Sequence, residues 1–217
     1  MKYGLCGCRD WTTMSGAFSS LKYKNVKHCS THPKFLHSNS TSHRWAFGAI
    51  AELIDNAIDP DVNASQFCID LKEFNNEPCL VLMDNGCGLN PERLHKMLSF
   101  GHSKKQMTPG DRSIGKHGNG FKSGTMRLGK DVLVLTKCAV SMTTGFLSQT
   151  FLAAVGAEDI LIPLVTWDLH RMSPKHADIE ESLQAICTYS IFPDEASILA
   201  QLDAIPGTGT VSLTKAV

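Results

Sequence analysis

Residues 46–59 constrain the fold more than any other stretch. They are apolar almost all the way round a helix: Phe47, Ala49, Ile50, Ala51, Leu53, Ile54, Ala57 and Ile58. One stripe interrupts them. Glu52, Asp55, Asn56 and Asp59 recur at i, i+3, i+4 and i+7, and so share a single helical face. Two placements fit that pattern. One is an amphipathic helix whose acidic face is wet; the other is a buried helix that offers a carboxylate and an amide, one turn apart, to a metal and a water.

Downstream, Pro60-Asp61 ends the helix and residues 66–71 alternate as a strand. Asn75-Asn76 supplies a turn, and residues 79–83 (CLVLM) read as a strand buried on both faces. That strand runs straight into Asp84-Asn85-Gly86-Cys87-Gly88. Asn90-Pro91 opens a short helix through Met97, with proline at its favoured first-turn position. Residues 99–116 form a long polar loop ending in Gly115-Lys116-His117-Gly118-Asn119-Gly120, and a helix follows over 121–128. Strand-like runs are expected at 132–136, 144–152 and 160–165, helices at 178–187 and 194–205, and a last short strand after Thr210. Residues 1–30 lack sustained periodicity and read as a poorly structured lead-in to a domain over 31–217.

The 217 residues suffice for a real core, and 21 basic against 21 acidic residues leave no general electrostatic case for a nucleic-acid partner. The eight cysteines include no Cys-x-x-Cys pair, so the usual zinc spacings are missing. Cys68, Cys79 and Cys138 read as small buried hydrophobes in strands. No signal-peptide core and no membrane-spanning run occurs, which points to a reducing intracellular compartment and no membrane partner.

Three features therefore fall in order: Glu52 with Asn56, Asp84-x-Gly86-x-Gly88 at a strand end, and Gly115-x-x-Gly118-x-Gly120 at a loop-to-helix junction. Together they suit a nucleotide with Mg²⁺. A carboxylate at Asp84 can accept a hydrogen bond from the exocyclic amine of adenine, and Gly86 and Gly88 leave room for a flat base. The glycine run before Phe121 exposes amide donors at a helix N-terminus, a favourable place for phosphates, to which Lys122 can add charge. The Asn56 amide oxygen is a hard ligand for Mg²⁺, and Glu52, ionised at neutral pH, can deprotonate an attacking water. The glycine run is neither a Walker A loop nor a dinucleotide fingerprint, because it has no Gly-Lys-Ser/Thr ending and no strand directly before it.

This succession resembles the GHKL superfamily of gyrase, heat-shock chaperone, histidine kinase and MutL. Residues 33–43 (PKFLHSNSTSH), 49–57 (AIAELIDNA), 59–64 (DPDVNA), 94–101 (LHKMLSFG), 118–124 (GNGFKSG), 126–131 (MRLGKD) and 147–150 (LSQT) are similar to the microrchidia (MORC) family. The resemblance implies an α/β fold, a two-layer sandwich of the Bergerat type with a mixed sheet. It implies Glu52 as general base and Asn56 as Mg²⁺ ligand. Asp84, Gly86 and Gly88 would lie at the base, and Gly115, Gly118, Asn119, Gly120, Phe121 and Lys122 around the phosphates. Thr210 would be the threonine of a late Gly-Thr motif supporting the base.

The resemblance further implies a nuclear, chromatin-associated ATPase of gene silencing, whose heads pair as homodimers on ATP, or as heterodimers with a full-length family member. Ile58 departs from the tyrosine common in the family. The resemblance also implies a second domain that supplies a lysine to the γ-phosphate, and a CW-type zinc finger. Neither has a counterpart here, so the chain reads as truncated and its turnover is expected near background. The competing expectation is a non-hydrolysing interaction domain that binds nucleotide and regulates a full-length partner. A histidine-kinase catalytic domain is disfavoured, since no helical hairpin with a phosphoacceptor histidine precedes the motifs.

Overall fold

The computed structural model describes residues 23–100, 119–170, 172 and 177–215. In chain order the elements are β1 (His28–Cys29), α1 (Lys34–Ser40), α2 (Ala46–Ile58), β2 (Phe67–Phe74), β3 (Glu77–Asp84), α3 (Pro91–Leu98), α4 (Gly120–Leu128), β4 (Asp131–Lys137), β5 (Ser141–Ser148), α5 (Gln149–Ala154), β6 (Ile160–Leu161), β7 (Leu164–Asp168), α6 (Ala177–Tyr189), α7 (Glu195–Asp203) and β8 (Gly209–Lys215). Six strands form one sheet in the order β2-β3-β8-β4-β5-β7, and β1 pairs with β6 separately.

Helices on a sheet make this the expected α/β fold, with two differences. Every neighbouring pair of strands is antiparallel, where a mixed sheet was expected. The physical reason is local: β2–β3 and β4–β5 are hairpins, and β8 returns to lie antiparallel to both β3 and β4. The β2–β3 turn is made by Asn75 and Asn76, both at positive φ, as hairpin turns require. The second difference is that helices cover both faces. On one face Gly145 of β5 lies under Leu94 and Leu98 of α3. On the other, the row Val81–Leu213–Leu133–Phe146 is apolar across four strands and buried, so it needs its own cover. That cover includes α7, whose Glu195 accepts a 2.7 Å hydrogen bond from the Trp167 indole.

The sheet's last strand in sequence is central in space. That position sets Thr210 of β8 between Asp84 of β3 and Thr136 of β4, all on the α2–α4 side of the sheet.

Several segments depart from expectation. Residues 23–30 are built into the fold, since Tyr23 and Val26 are buried and β1 is paired. Residues 34–40, for which no element was expected, form α1, with Leu36 fully buried. The strand-like run at 144–152 ends at Ser148, whose hydroxyl accepts the Phe151 N–H at 2.8 Å and starts α5. The run at 160–165 is split into β6 and β7 around Pro163. Cys68 is exposed, because β2 is an edge strand, whereas Cys79 is buried.

Candidate functional site

The polar stripe of α2 matches neither simple placement. Buried Ala49, Leu53 and Ala57, at i, i+4 and i+8, turn one face into the core. Glu52 is exposed, Asp55 and Asn56 are half-buried, and Asp59 is buried. Asp59 ends the helix: its carboxylate accepts the Asp61 N–H at 3.1 Å and its carbonyl accepts those of Val62 and Asn63, both at 2.8 Å. Pro60 enforces that stop, since a residue before proline is steered away from helical backbone. Asp59 is thus a structural residue of the turn.

Glu52 sits against the start of α4. A Cβ at Gly120 would collide with its carboxylate, and a Cβ at Gly124, one turn on, would come within 3.1 Å of the Ala49 carbonyl. Glycines at i and i+4 therefore let α2 and α4 touch backbone to side chain. Asn119 precedes α4 and gives it no side-chain cap, so the helix start beside Glu52 has no cap among the described residues. The turn is tied to the chain before α2: Ser123 Oγ lies 3.0 Å from His43 Nε2, and Arg127 Nε donates to the His43 carbonyl at 3.0 Å.

One turn beyond Glu52, the Asn56 Nδ2 is buried with no hydrogen-bond partner among the described residues. Leaving such a donor unmet costs about 1–3 kcal/mol. An amide held with its nitrogen inward leaves its oxygen as the atom available to a ligand. This donor set, a neutral amide oxygen beside a carboxylate, fits a hard cation that keeps part of its water shell.

The other end of the site is a loop locked by its own chain. Asp84 ends β3, and its Oδ1 accepts the Gly86 N–H at 2.9 Å. Burial pushes the Asp84 carboxyl above the usual carboxylate range, against the opposing pull of the Gly86 and Thr210 backbone N–H groups. Asn85 turns away, its Oδ1 taking the N–H groups of Ser65 at 3.0 Å and Gln66 at 2.9 Å. Gly86 and Gly88 are required by close packing within the protein. A Cβ at Gly86 would lie 2.5 Å from Val62 Cγ1, and one at Gly88, where φ is +68°, would strike the Lys137 carbonyl. Both glycines pack protein against protein.

Beside Asp84, the Thr210 hydroxyl lies 3.2 Å from that of Thr136, which also accepts the Leu89 N–H at 2.8 Å and reaches the Gly209 carbonyl at 3.2 Å. Thr208 Oγ1 donates to the Gly86 carbonyl at 2.8 Å, tying the strand before Thr210 to the glycine loop. Sequence reasoning missed Thr136 and Thr208. The only signal for either was a threonine in an apolar strand or beside a Gly-Thr pair.

Two residues expected near phosphates turn inward. Phe121 is in the core. Lys122 is 1% exposed, its ammonium donates to the Met97 carbonyl at 3.0 Å, and it lies 4.9 Å from the centre of the Phe100 ring. Burial pulls its pKa down to about 8, with Cys29 opposing. Gly115 and Gly118 lie outside the described residues.

The structure therefore gathers Glu52, Asn56, Asn119 and Gly120 at one end, and Asp84, Gly86, Gly88 and Thr210 at the other. Helix α2 joins them. Its middle meets Gly120, and the turn after it meets the glycine loop, where Cys87 N–H donates to the Val62 carbonyl at 3.0 Å. From Glu52 to Asp59 the helix rises about 10 Å.

Residues 43–181 match the family model described as histidine kinase-, DNA gyrase B-, and HSP90-like ATPase. Fold and match define the class: this is an ATPase domain of the GHKL type. The chain is 52% identical over 175 residues to mouse MORC family CW-type zinc finger protein 3, covering 81% of this chain and 19% of that protein. It is 37% identical over 218 residues to Arabidopsis thaliana Protein MICRORCHIDIA 7, covering 93% and 29%, and 38% identical over 183 residues to human ATPase MORC2, covering 82% and 18%. The chain belongs to the microrchidia family. It spans less than a third of the length of each of these relatives. Among the described residues no helix is long and apolar enough to cross a membrane.

Proposed function

We propose that this domain binds ATP with Mg²⁺, adenine at the Asp84–Thr210 end and phosphates at the Glu52–Gly120 end, and hydrolyses it with a water activated by Glu52. The observation that carries this reading is α2 itself, which links an acceptor pair at a strand end to a free carboxylate at an uncapped helix start. Asn56, midway, would hold Mg²⁺, which supplies charge neutralisation at the phosphates. Glu52 makes no hydrogen bond or ion pair with the described residues, so its carboxylate is free to take a proton from water. The α4 amide donors orient the phosphate chain, and Asp84 accepts from the base. By family resemblance the protein acts in the nucleus on chromatin, in gene silencing. The direct test is calorimetry with Mg-ATP together with phosphate release. Glu52→Ala should keep nucleotide affinity and remove Glu52-dependent turnover; a robust turnover in that variant would contradict the assignment.

A second reading is a nucleotide-binding interaction domain that pairs with another family head without turnover. It is favoured by apolar side chains exposed at the two ends of α2: Trp45 just before it at 64%, Phe47 at 67% and Ile58 at 50%. Trp45 and Phe47 also pack edge to face, 5.5 Å apart. Mass measurement in solution with and without a non-hydrolysable ATP analogue separates the two. Nucleotide-dependent pairing without phosphate release favours the second.

A further inference from the structure

We propose that Thr136 is a positioning residue that sets the purine preference of the site, by holding the Thr210 hydroxyl hydrogen away from the base so that Thr210 and Asp84 both face it as acceptors. The inference rests on the reading of Asp84 and Thr210 as the base end.

Thr136 is fully buried on β4, on the face and in the cross-strand row that carries Thr210 and Asp84. Its Oγ1 is within bonding distance of three polar atoms: Leu89 N at 2.8 Å, Gly209 O at 3.2 Å and Thr210 Oγ1 at 3.2 Å. A hydroxyl has one hydrogen and two lone pairs. The Leu89 N–H only donates and fills one lone pair; the Gly209 carbonyl only accepts and takes the hydrogen. The one arrangement that satisfies all three contacts then gives the second lone pair the hydrogen of Thr210. That hydrogen then points toward β4, and the Thr210 oxygen keeps its lone pairs for the side where Asp84 stands. Thr143, the next residue in the row, is occupied with Thr166 at 3.3 Å and does not compete. Two acceptors side by side match a 6-amino purine, which has two hydrogens to give. A 6-oxo purine has an acceptor at position 6 and only the N1 hydrogen to give, so one acceptor of the pair is left facing an oxygen.

The test compares ATP with inosine triphosphate, which replaces the 6-amino by a 6-oxo group, by calorimetry on the 217-residue chain, with thermal unfolding followed for each variant. Wild type should prefer ATP. Thr136→Val removes the acceptor for the Thr210 hydrogen, which can then rotate toward the base, and the ATP-to-inosine-triphosphate preference should fall by about tenfold. Thr136→Ser keeps the hydroxyl and should hold the preference within about threefold of wild type. A purely structural role would weaken both nucleotides together and leave their ratio alone. An unchanged ratio in a folded Thr136→Val protein, or an equal loss in Thr136→Ser, overturns the proposal. Should Thr136→Val fail to fold, Thr136→Ala, which leaves room for a water on the Leu89 N–H, is scored by the same ratio. A wild-type chain that binds both nucleotides equally overturns the base assignment itself, a separate result.

Discussion

The end of the site proposed for the base is made from three adjacent strands, and its polar side chains are partnered within the protein; the end proposed for catalysis is made from two helices, and Glu52 and the Asn56 Nδ2 have no described partner. The contrast has a structural origin. Antiparallel register sets Asp84, Thr210 and Thr136 side by side whether or not a ligand is present. Helices meeting at Gly120 and Gly124 bring side chains close without pairing them, so the charge and the amide at that end are left for something else to satisfy. A region that completes its own hydrogen bonds recognises by shape and polarity already in place. A region that leaves them open draws its energy from the ligand, and there nucleotide and metal should most change stability.

Breaking the base end from inside should have the largest effect on the fold. Gly88→Ala combines a left-handed backbone position with overlap on the Lys137 carbonyl, and a loss of about 3 kcal/mol or more in unfolding free energy is expected by denaturant titration. A near-neutral result would mean that the loop is far softer than its contacts imply. The catalytic end should respond in the opposite way. Glu52→Ala is expected to leave stability and nucleotide affinity nearly intact while removing whatever phosphate release the wild-type chain shows above background. Equal losses of affinity and turnover would show that Glu52 binds rather than activates.

The smallest effect sharpens the boundary between the two regions. Lys122, buried between α4 and Phe100, has a folded pKa of about 8 against an ordinary value of 10.5. Between those values the unfolded chain holds the proton and the folded chain releases it, so stability should rise as pH goes up through that window. Lys122→Met should flatten the rise, as read from denaturant midpoints over that pH range. An identical slope in wild type and variant would show that the ammonium is not held where the Met97 carbonyl and Phe100 ring place it.

Much of this was legible in the chain, for reasons tied to local chemistry. The run Cys79 to Asp84 could only be a buried strand, Asn90-Pro91 a helix start, and Asn75-Asn76 a turn; β3, α3 and the β2–β3 hairpin follow from them. Helical spacing showed that Glu52 and Asn56 share a face, and only the two glycine motifs downstream pointed to a site there. What was not legible depends on pairing between distant strands or on side-chain direction. Nothing in a threonine at position 136 announces that β8 will lie beside it. The inward turn of Lys122 needed the C-terminal end of α3, and the glycine requirement at Gly86 and Gly88 needed Val62 and Lys137. Helix α1 was hidden because it buries only Leu36 and Ser40, too few apolar positions to set a helical period.

The central claim is that α2 joins an adenine site to a Mg²⁺ site through Asn56. Its most direct test is calorimetric titration of ATP into wild type and Asn56→Ala, each with and without Mg²⁺. Wild type should bind ATP much more tightly with Mg²⁺ than without it. Asn56→Ala, still folded, should lose that gain and show the same weak binding in both conditions. An undiminished gain from Mg²⁺ in the Asn56→Ala protein would contradict the account.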